Sequence, residues 1–267
     1  MMRVAWVAIP VFICMGSASA QWLNQPIPGT PRTKEGKANL SASVPMSSDG
    51  HPDLTGLWVS LRSAKQPADA RITGPNLTDY LESPNEIAPM LPEAEKIYQE
   101  RVARNGGGRP SESCLPHSIP DMMLITRPFQ IVQTPQRTMI LYEFATRFRQ
   151  VFTDGRSRPG DISYPAWFGY SIAKWEGKTF AVDTAGFNDK SWLDDWGHPH
   201  SDALHTIERF TRTDFGHMTG EITIDDPKSY TKPFTITLKF RLMPDTELIE
   251  DVCENEKDSA HSGRSKQ

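Results

Sequence analysis

The C-terminal half of this chain is a succession of short strand-like segments separated by tight turns, and this pattern restricts the fold more than any other feature. Apolar and polar residues alternate within the segments, so that Phe234, Ile236 and Leu238 share one face. Dipeptides such as Glu176-Gly177 mark the turns between neighbours. The predicted strands are 56–60, 129–133, 137–144, 147–153, 168–175, 178–184, 204–211, 215–224, 234–242 and 247–253.

Strands joined by hairpins are antiparallel neighbours, and a long meander usually closes on itself so that no edge strand stays unpaired. We therefore expect a mainly β protein whose antiparallel meander closes into an up-and-down barrel, with a two-sheet β-sandwich as the alternative. One helix is predicted before most of these strands, at 92–104. It starts at Pro92, carries Glu93 and Glu95 in its first turn and stops at Asn105-Gly106.

The N-terminus has the three parts of a cleavable signal peptide. Arg3 supplies the positive charge, residues 4–15 are an apolar run, and Ala18 and Ala20 stand in the small-residue cleavage positions. The run is shorter than the roughly 20 apolar residues that cross a bilayer. We therefore predict a signal peptide at 1–20 and a periplasmic or secreted protein that leaves the membrane. The predicted remainder is an extended arm at 21–50, one barrel domain at 51–254 and a polar tail at 255–267.

Cleavage changes the cysteine count. The chain has three cysteines, and Cys14 would leave with the signal peptide. In an oxidising compartment the remaining pair, Cys114 and Cys253, predicts one disulfide, and two buried free thiols are the alternative. A zinc site on these cysteines is disfavoured because neither belongs to a Cys-x-x-Cys pair.

Charge and motifs exclude several partners and cofactors. The formal net charge is −4, so there is no basic excess that would neutralise nucleic-acid phosphates. The glycines at 106–108 lack the following Lys-Ser/Thr of a phosphate-binding loop. An exported protein also meets no pool of ATP or nicotinamide. We therefore expect no organic cofactor and no nucleic-acid partner.

The stretch from His198 to His217 is the most site-like part of the sequence. It holds four of the seven histidines, and its first residues belong to the segment 186–203, which is a long loop among short hairpins. One hypothesis is a divalent metal site, such as zinc, on His198, His200 and His205. A second is metal-free acid–base catalysis. In a third, the histidines only pack against tryptophan and cap turns.

The acid–base hypothesis specifies roles for particular residues. The predicted catalytic set comprises the proton carriers His200 and His205, the orienting carboxylates Asp202 or Glu208, and the anion holder Arg149. The predicted ligand-binding set is Tyr142, Trp167, Tyr170, Trp192 and His217. A serine nucleophile has no support, because the sequence contains no Gly-x-Ser-x-Gly.

Several runs resemble a group of secreted, mostly uncharacterised bacterial β-rich proteins. They are Phe129-Gln-Ile-Val-Gln-Thr-Pro, Arg149-Gln-Val-Phe-Thr-Asp-Gly-Arg156, Gly169-Tyr-Ser-Ile-Ala-Lys-Trp-Glu-Gly177, Gly186-Phe-Asn-Asp-Lys and Asp214-Phe-Gly-His-Met. The resemblance covers about residues 51–258 and implies a bacterial source and an exported β domain, with no reaction attached. Gly56-Leu-Trp58 is also similar to the Gly-x-Trp opening of lipocalins, which implies a lipocalin-like barrel.

These observations lead to one main hypothesis and two rivals. The main hypothesis is an exported enzyme that performs cofactor-free acid–base chemistry, of lyase, isomerase or hydrolase type, on a small apolar or aromatic molecule in a barrel pocket. The first rival is a non-catalytic carrier of a small ligand. The second is a divalent-metal-dependent enzyme that uses the 198–217 segment. The substrate and the oligomeric state do not follow from the sequence.

Overall fold

The computed structural model describes residues 26–66, 72, 74–83 and 86–253, and in it nine strands form a closed barrel, as expected from the meander. The strands are β1 Gly56–Ser60, β2 Pro128–Gln133, β3 Arg137–Tyr142, β4 Arg147–Phe152, β5 Tyr170–Glu176, β6 Thr179–Ala185, β7 His205–Arg212, β8 His217–Asp225 and β9 Phe234–Leu242. The main helix, α1, spans Pro92–Ala103, and a short helix, α2, spans Asp121–Leu124. The prediction of a mainly β barrel with one helix ahead of most strands is confirmed.

The barrel closes between its first and last strands. Trp58 of β1 lies opposite Leu242 of β9, and β1 also pairs with β2. The predicted tenth strand at 247–253 is wrong, because these residues form no strand. The physical reason is that β1 already occupies the free edge of β9, so the chain beyond Leu242 has no strand to pair with.

One junction departs from the antiparallel meander. Strands β4 and β5 are parallel and share only two register pairs, Val151 with Ser171 and Phe152 with Ile172. The 153–169 connection returns the chain to the end of the barrel where β4 began, so β5 runs in the same direction as β4. We call this short parallel pairing the seam.

The alternating apolar residues fill the inside of the barrel. On β9 the side chains from Phe234 to Leu242 at even positions are buried, whereas those at odd positions lie outside. On β8, Gly220 leaves room for two rings, since a Cβ there would lie 2.8 Å from Phe240 and 3.2 Å from Phe210. The face of β8 that carries His217 is therefore the outer one.

Different segments cover the two ends of the barrel. The described part of the predicted arm, residues 26–50, lies over the end where β7 finishes, and we call this the arm end. Gly216 N–H donates to the Leu40 carbonyl (2.7 Å) and Arg32 pairs with Asp245 (2.5 Å). The other end, which we call the cleft end, is covered by residues 74–83, 86–125 and 186–203, and α2 adds the buried Met122, Met123 and Leu124 to the core.

A disulfide joins Cys114 to Cys253, which confirms the pairing expected from the sequence. Among the described residues no helix has the length and apolar character needed to cross a bilayer. The disulfide fits an exported protein. The predicted signal peptide at 1–20 and polar tail at 255–267 lie outside the described residues, as do residues 21–25 of the arm.

Candidate active site at the cleft end

The loop that follows β6 is anchored at the cleft end by Asp194. Its fully buried carboxylate accepts hydrogen bonds from the backbone N–H groups of Leu77 (2.7 Å), Gly197 (2.8 Å) and His198 (3.0 Å), and from His198 Nδ1 (2.6 Å). Burial alone would raise the pKa of Asp194, but His198 and the backbone donors outweigh it and hold the pKa below its usual value. This carboxylate ties the loop to the 74–80 segment and positions the next residue, Asp195.

His117 and Asp121 form a buried pair beside this loop. Asp121 is the first residue of α2, and His117 lies four residues before it in the loop that leads into this helix. The Nδ1–H of His117 donates to Asp121 Oδ2, while His117 Nε2 and Asp121 Oδ1 have no partner among the described residues. The carboxylate orients the imidazole and leaves its second nitrogen for another group.

Asp195 and Arg109 form the second half of the cluster. Arg109 Nη1 lies 2.6 Å from Asp195 Oδ1, and its Nε lies 3.5 Å from Glu112. Burial and the nearby Asp121 charge raise the pKa of Asp195 to about 6, against the opposing effects of Arg109 and His117. Asp195 therefore exchanges its proton close to neutral pH.

The electrostatics of His117 complement those of Asp195. Burial disfavours the charged imidazolium, but the Asp121 carboxylate, assisted by Asp195, outweighs this effect and raises the pKa of His117. The raised pKa of His117 favours its protonated state, whereas Asp195, with a pKa of about 6, is ionised above that pH. A proton donor and a proton acceptor lie side by side.

These side chains also form the one group of described residues with the spacing of metal ligands. His117, Asp121 and Asp195 each offer an atom within 4.8 Å of the other two. However, His117 Nδ1 is hydrogen-bonded to Asp121, and Asp195 is paired with the Arg109 guanidinium. Because the Arg109 guanidinium already neutralises Asp195, a metal ion would meet a fixed positive charge there, so the arrangement favours proton transfer over metal binding.

Two cavities meet at this cluster. A small one of about 10 Å³, enough for one water molecule, lies behind it and is lined by residues that include Ser191 and Trp192. In front lies an open cleft of about 420 Å³, which His117, Asp195 and Arg109 share with Ile125 and Phe144. A cleft of this size accommodates a small molecule.

The wall of the cleft opposite Arg109 is the short 3-10 turn Phe144–Thr146. The Phe144 ring meets the His117 imidazole edge-on, with centroids 5.1 Å apart. Ala145 and Thr146 have positive φ values of 54° and 48°, which are strained for residues with a Cβ. Thr146 Oγ1 donates to the Asp251 carbonyl (3.0 Å), so the segment that ends in Cys253 holds this turn in place.

The disulfide links both walls of the cleft. Cys114 ends the turn Pro110–Ser113, which lies between Arg109 and His117 on one wall. Arg147 Nη2, next to the other wall, donates to the Cys114 carbonyl (2.8 Å). The Cys114–Cys253 bridge therefore fixes the width of the cleft from outside the barrel.

The predicted catalytic residues Arg149 and Glu208 lie inside the barrel, away from the cleft. They form a salt bridge and are 2% and 0% exposed. Arg149 also donates to Ser171 Oγ (3.1 Å) and Thr184 Oγ1 (2.7 Å), and its Nη1 lies 3.0 Å from Glu208 Oε1. Each side-chain nitrogen of Arg149 thus has a partner inside the barrel, and we call this network the interior pair.

The histidines predicted as catalytic or metal-binding have separate partners. His198 pairs with Asp194 and packs against the tilted ring of Tyr98, with the ring centroids 4.2 Å apart. Buried His200 accepts from Ser191 Oγ (2.7 Å) through Nε2 and donates to the Ser201 carbonyl (2.9 Å), and burial lowers its pKa. The structure does not bring His198, His200 and His205 together as a metal site within the described residues.

The remaining polar candidates lie on the outside of the barrel. His205 Nε2 is 3.0 Å from Asp183 on the outer face, since it points away from Glu208 on the same strand. Asp202 pairs with Lys228 at the exposed surface (2.6 Å), and His217 pairs with Asp214 at the arm end (2.8 Å).

Of the predicted aromatic ligand-binding residues, only Trp192 lies at the cluster. It lines the small cavity, and the Arg101 guanidinium covers its ring (4.3 Å). Tyr142 is buried in the core against Phe168, Tyr170 packs on Phe152 outside the barrel, and Trp167 is half-buried beyond the seam.

Sequence reasoning missed His117, Asp121 and Arg109. The run His117-Ser-Ile-Pro-Asp121 brings the first pair together in a non-helical loop, so helical spacing gives no signal for it. Asp195 also had no predicted role. Its partners lie more than seventy residues earlier, so no local pattern joins them.

No protein-family model matches this chain, and a search of curated proteins finds no match either.

Proposed function

We propose that this protein is an exported enzyme that transfers protons on a small molecule bound in the cleft, with His117 as the acid and Asp195 as the base. The observation that carries the proposal is the buried His117–Asp121 pair, which has an unpartnered Nε2 and lies within 4.8 Å of a carboxylate oxygen of Asp195 where the cleft meets the small cavity. Catalytic imidazoles are commonly held in this way, with one nitrogen on a carboxylate and the other toward the reacting group.

The reaction class follows from the groups available. An acid and a base with offset protonation support elimination, hydration, isomerisation or hydrolysis, the lyase, isomerase and hydrolase types, without an organic cofactor. Ile125 and Phe144 give the cleft an apolar side that suits a small apolar or aromatic molecule. His117 would protonate the departing or developing negative centre, and Asp195 would take the proton from carbon or from water.

The location of the enzyme is part of the same proposal. We propose that residues 1–20 are removed on export and that the protein works in the periplasm or outside the cell. The disulfide and the signal-like N-terminus support this location. The kinship with secreted bacterial β-rich proteins and the lipocalin-like similarity stay predictions.

The test is a pH–rate profile of the purified protein on substrates found by screening small molecules for turnover. Activity should rise as the pH passes about 6, where Asp195 ionises, and fall above the raised pKa of His117. His117→Gln and Asp195→Asn should each lower kcat/KM by about 100-fold or more. His205→Gln and Asp202→Asn, which alter the same residue types on the outer surface, serve as matched controls with unchanged activity.

Two results would overturn the proposal. Full turnover in His117→Gln or Asp195→Asn would exclude these side chains as the proton carriers. A stoichiometric metal ion in the purified protein that disappears in His117→Gln would replace proton transfer with metal chemistry at the same residues. Binding without turnover across the screen would identify a carrier.

A further inference from the structure

The two arginines that line the cleft, Arg109 and Arg127, differ in how far nearby carboxylates neutralise their charge. Arg109 contacts two carboxylates, those of Asp195 and Glu112. Arg127, on the connection between α2 and β2, has its nearest carboxylate in Glu143 at 3.6 Å, and its guanidinium donates no hydrogen bond within the described part of the chain. A guanidinium carries five N–H donors in a planar fork. Arg127 therefore keeps the capacity to bind an anion.

Glu143 is a weak counter-ion for Arg127. Its side chain is buried, and burial raises its pKa despite the nearby arginine charge. The Arg127 side chain is 55% exposed, so the guanidinium remains open to a ligand from the cleft. Its charge is only partly neutralised by the protein.

An apolar surface lies between Arg127 and the reacting groups. Ile125 is two residues before Arg127, and Phe144 follows Glu143 directly; both line the cleft. The Phe144 ring also touches the His117 imidazole. A cation, an apolar face and the proton-transfer pair thus follow one another along the same cleft.

We propose that the cleft binds a small organic carboxylate, whose charged group meets the Arg127 guanidinium and whose apolar part lies on Ile125 and Phe144. A carboxylate matches the planar fork of arginine with two parallel hydrogen bonds. The inference rests on the proposed function in one respect, since it takes His117 and Asp195 as the reacting end of the cleft. It names the substrate class as amphipathic organic acids.

Calorimetry with matched ligand pairs tests this substrate class without requiring turnover. The probes are phenylacetate against phenylacetamide, hexanoate against hexanamide, and acetate as an acid without an apolar part. At least one carboxylate should bind about 10-fold more tightly than its amide, and acetate should bind more weakly than the larger acids. Arg127→Ala should reduce the preference to within about 2-fold.

Arg137→Ala is the matched control, because it removes an exposed arginine of β3 that pairs with Gln150 (3.1 Å) away from the cleft. It should leave the carboxylate preference intact. Amides that bind as tightly as their acids, or a preference that survives Arg127→Ala, would overturn the proposed substrate class. The His117→Gln variant separates the two proposals. If it keeps both the carboxylate preference and full turnover, proton transfer by His117 is refuted while the proposed substrate class stands.

Discussion

The barrel interior and the cleft both hold buried charged side chains, and they differ in how completely those side chains are hydrogen-bonded. The interior pair, Arg149 and Glu208, satisfies its donors and acceptors within the barrel with the help of Ser171 and Thr184. In the cleft cluster, His117 Nε2 and Asp121 Oδ1 are buried without partners. A buried polar atom without a partner costs free energy, so its persistence points to a ligand or a reaction.

This contrast suggests that the charges of the interior pair serve the fold, whereas those of the cleft cluster serve binding or catalysis. Removing one partner of a fully hydrogen-bonded ion pair should destabilise the fold. Removing a residue that has an unpartnered polar atom should mainly impair binding or turnover and should affect stability less. The predicted roles of Arg149 and Glu208 as anion holder and orienting carboxylate are therefore better replaced by a structural one.

Glu208→Gln should lower the free energy of unfolding by about 3–5 kcal/mol, because it leaves the Arg149 guanidinium buried without a counter-charge. Urea denaturation followed by circular dichroism measures the change. The double variant Arg149→Met/Glu208→Leu should recover most of the loss, since neither charge then remains. A single variant as stable as the native protein would erase the distinction between the two regions.

Cys114→Ser/Cys253→Ser should lower the free energy of unfolding by about 2–4 kcal/mol, because the unfolded chain regains the freedom that the long-range bridge removes. Since the bridge also holds the two walls of the cleft, ligands should bind more weakly to the folded variant. Denaturation and calorimetry on the same samples measure both effects. Unchanged binding would show that the walls keep their spacing without the bridge.

His117→Gln should lower the free energy of unfolding by about 1–2 kcal/mol at pH 6 and by less at pH 9. The pKa of His117 is raised in the folded state, so the contact of its imidazolium with Asp121 stabilises the fold fully below the unfolded pKa of about 6.5. That contribution is lost as the pH rises through the folded value. A stability difference that grows with pH would reverse the inferred direction of the pKa shift.

Asp202→Asn should leave both the unfolding midpoint and ligand binding unchanged. Its partner Lys228 is also exposed, and exposed ion pairs contribute little because water and salt screen them. A thermal melt and one binding isotherm are sufficient measurements. A clear loss of activity would restore Asp202 to the catalytic role that its position in the sequence suggested.

The parts of the fold that depend on local pattern could be predicted from the sequence. Alternation along 234–242 and the turn at Glu176-Gly177 predict strands and hairpins, and α1 ends within one residue of its expected position. The parallel seam could not be predicted, because the direction of β5 depends on the course of the long 153–169 connection. The expected strand at 247–253 has strand-like residues but no available edge.

The candidate site was harder to predict because its residues come from distant segments. The abundance of histidine drew attention to 198–217, where the side chains in fact pair locally with Asp194, Ser191 and Asp183. His117 is a lone histidine in a proline-rich loop and acquires its importance from Asp121 and Asp195. Its position beside Asp195 in the wall of an open cleft, which distinguishes it, is visible only in three dimensions.

The buried Arg149 limits the motion of the barrel at the seam. With two register pairs, β4 and β5 are held together by fewer backbone hydrogen bonds than the longer strands of the barrel. From β4, the Arg149 side chain reaches Ser171 on β5, Thr184 on β6 and Glu208 on β7, and so fastens the barrel across this junction. The amides of Val151 and Ile172 should therefore report local opening by hydrogen exchange, at a rate set by that single guanidinium.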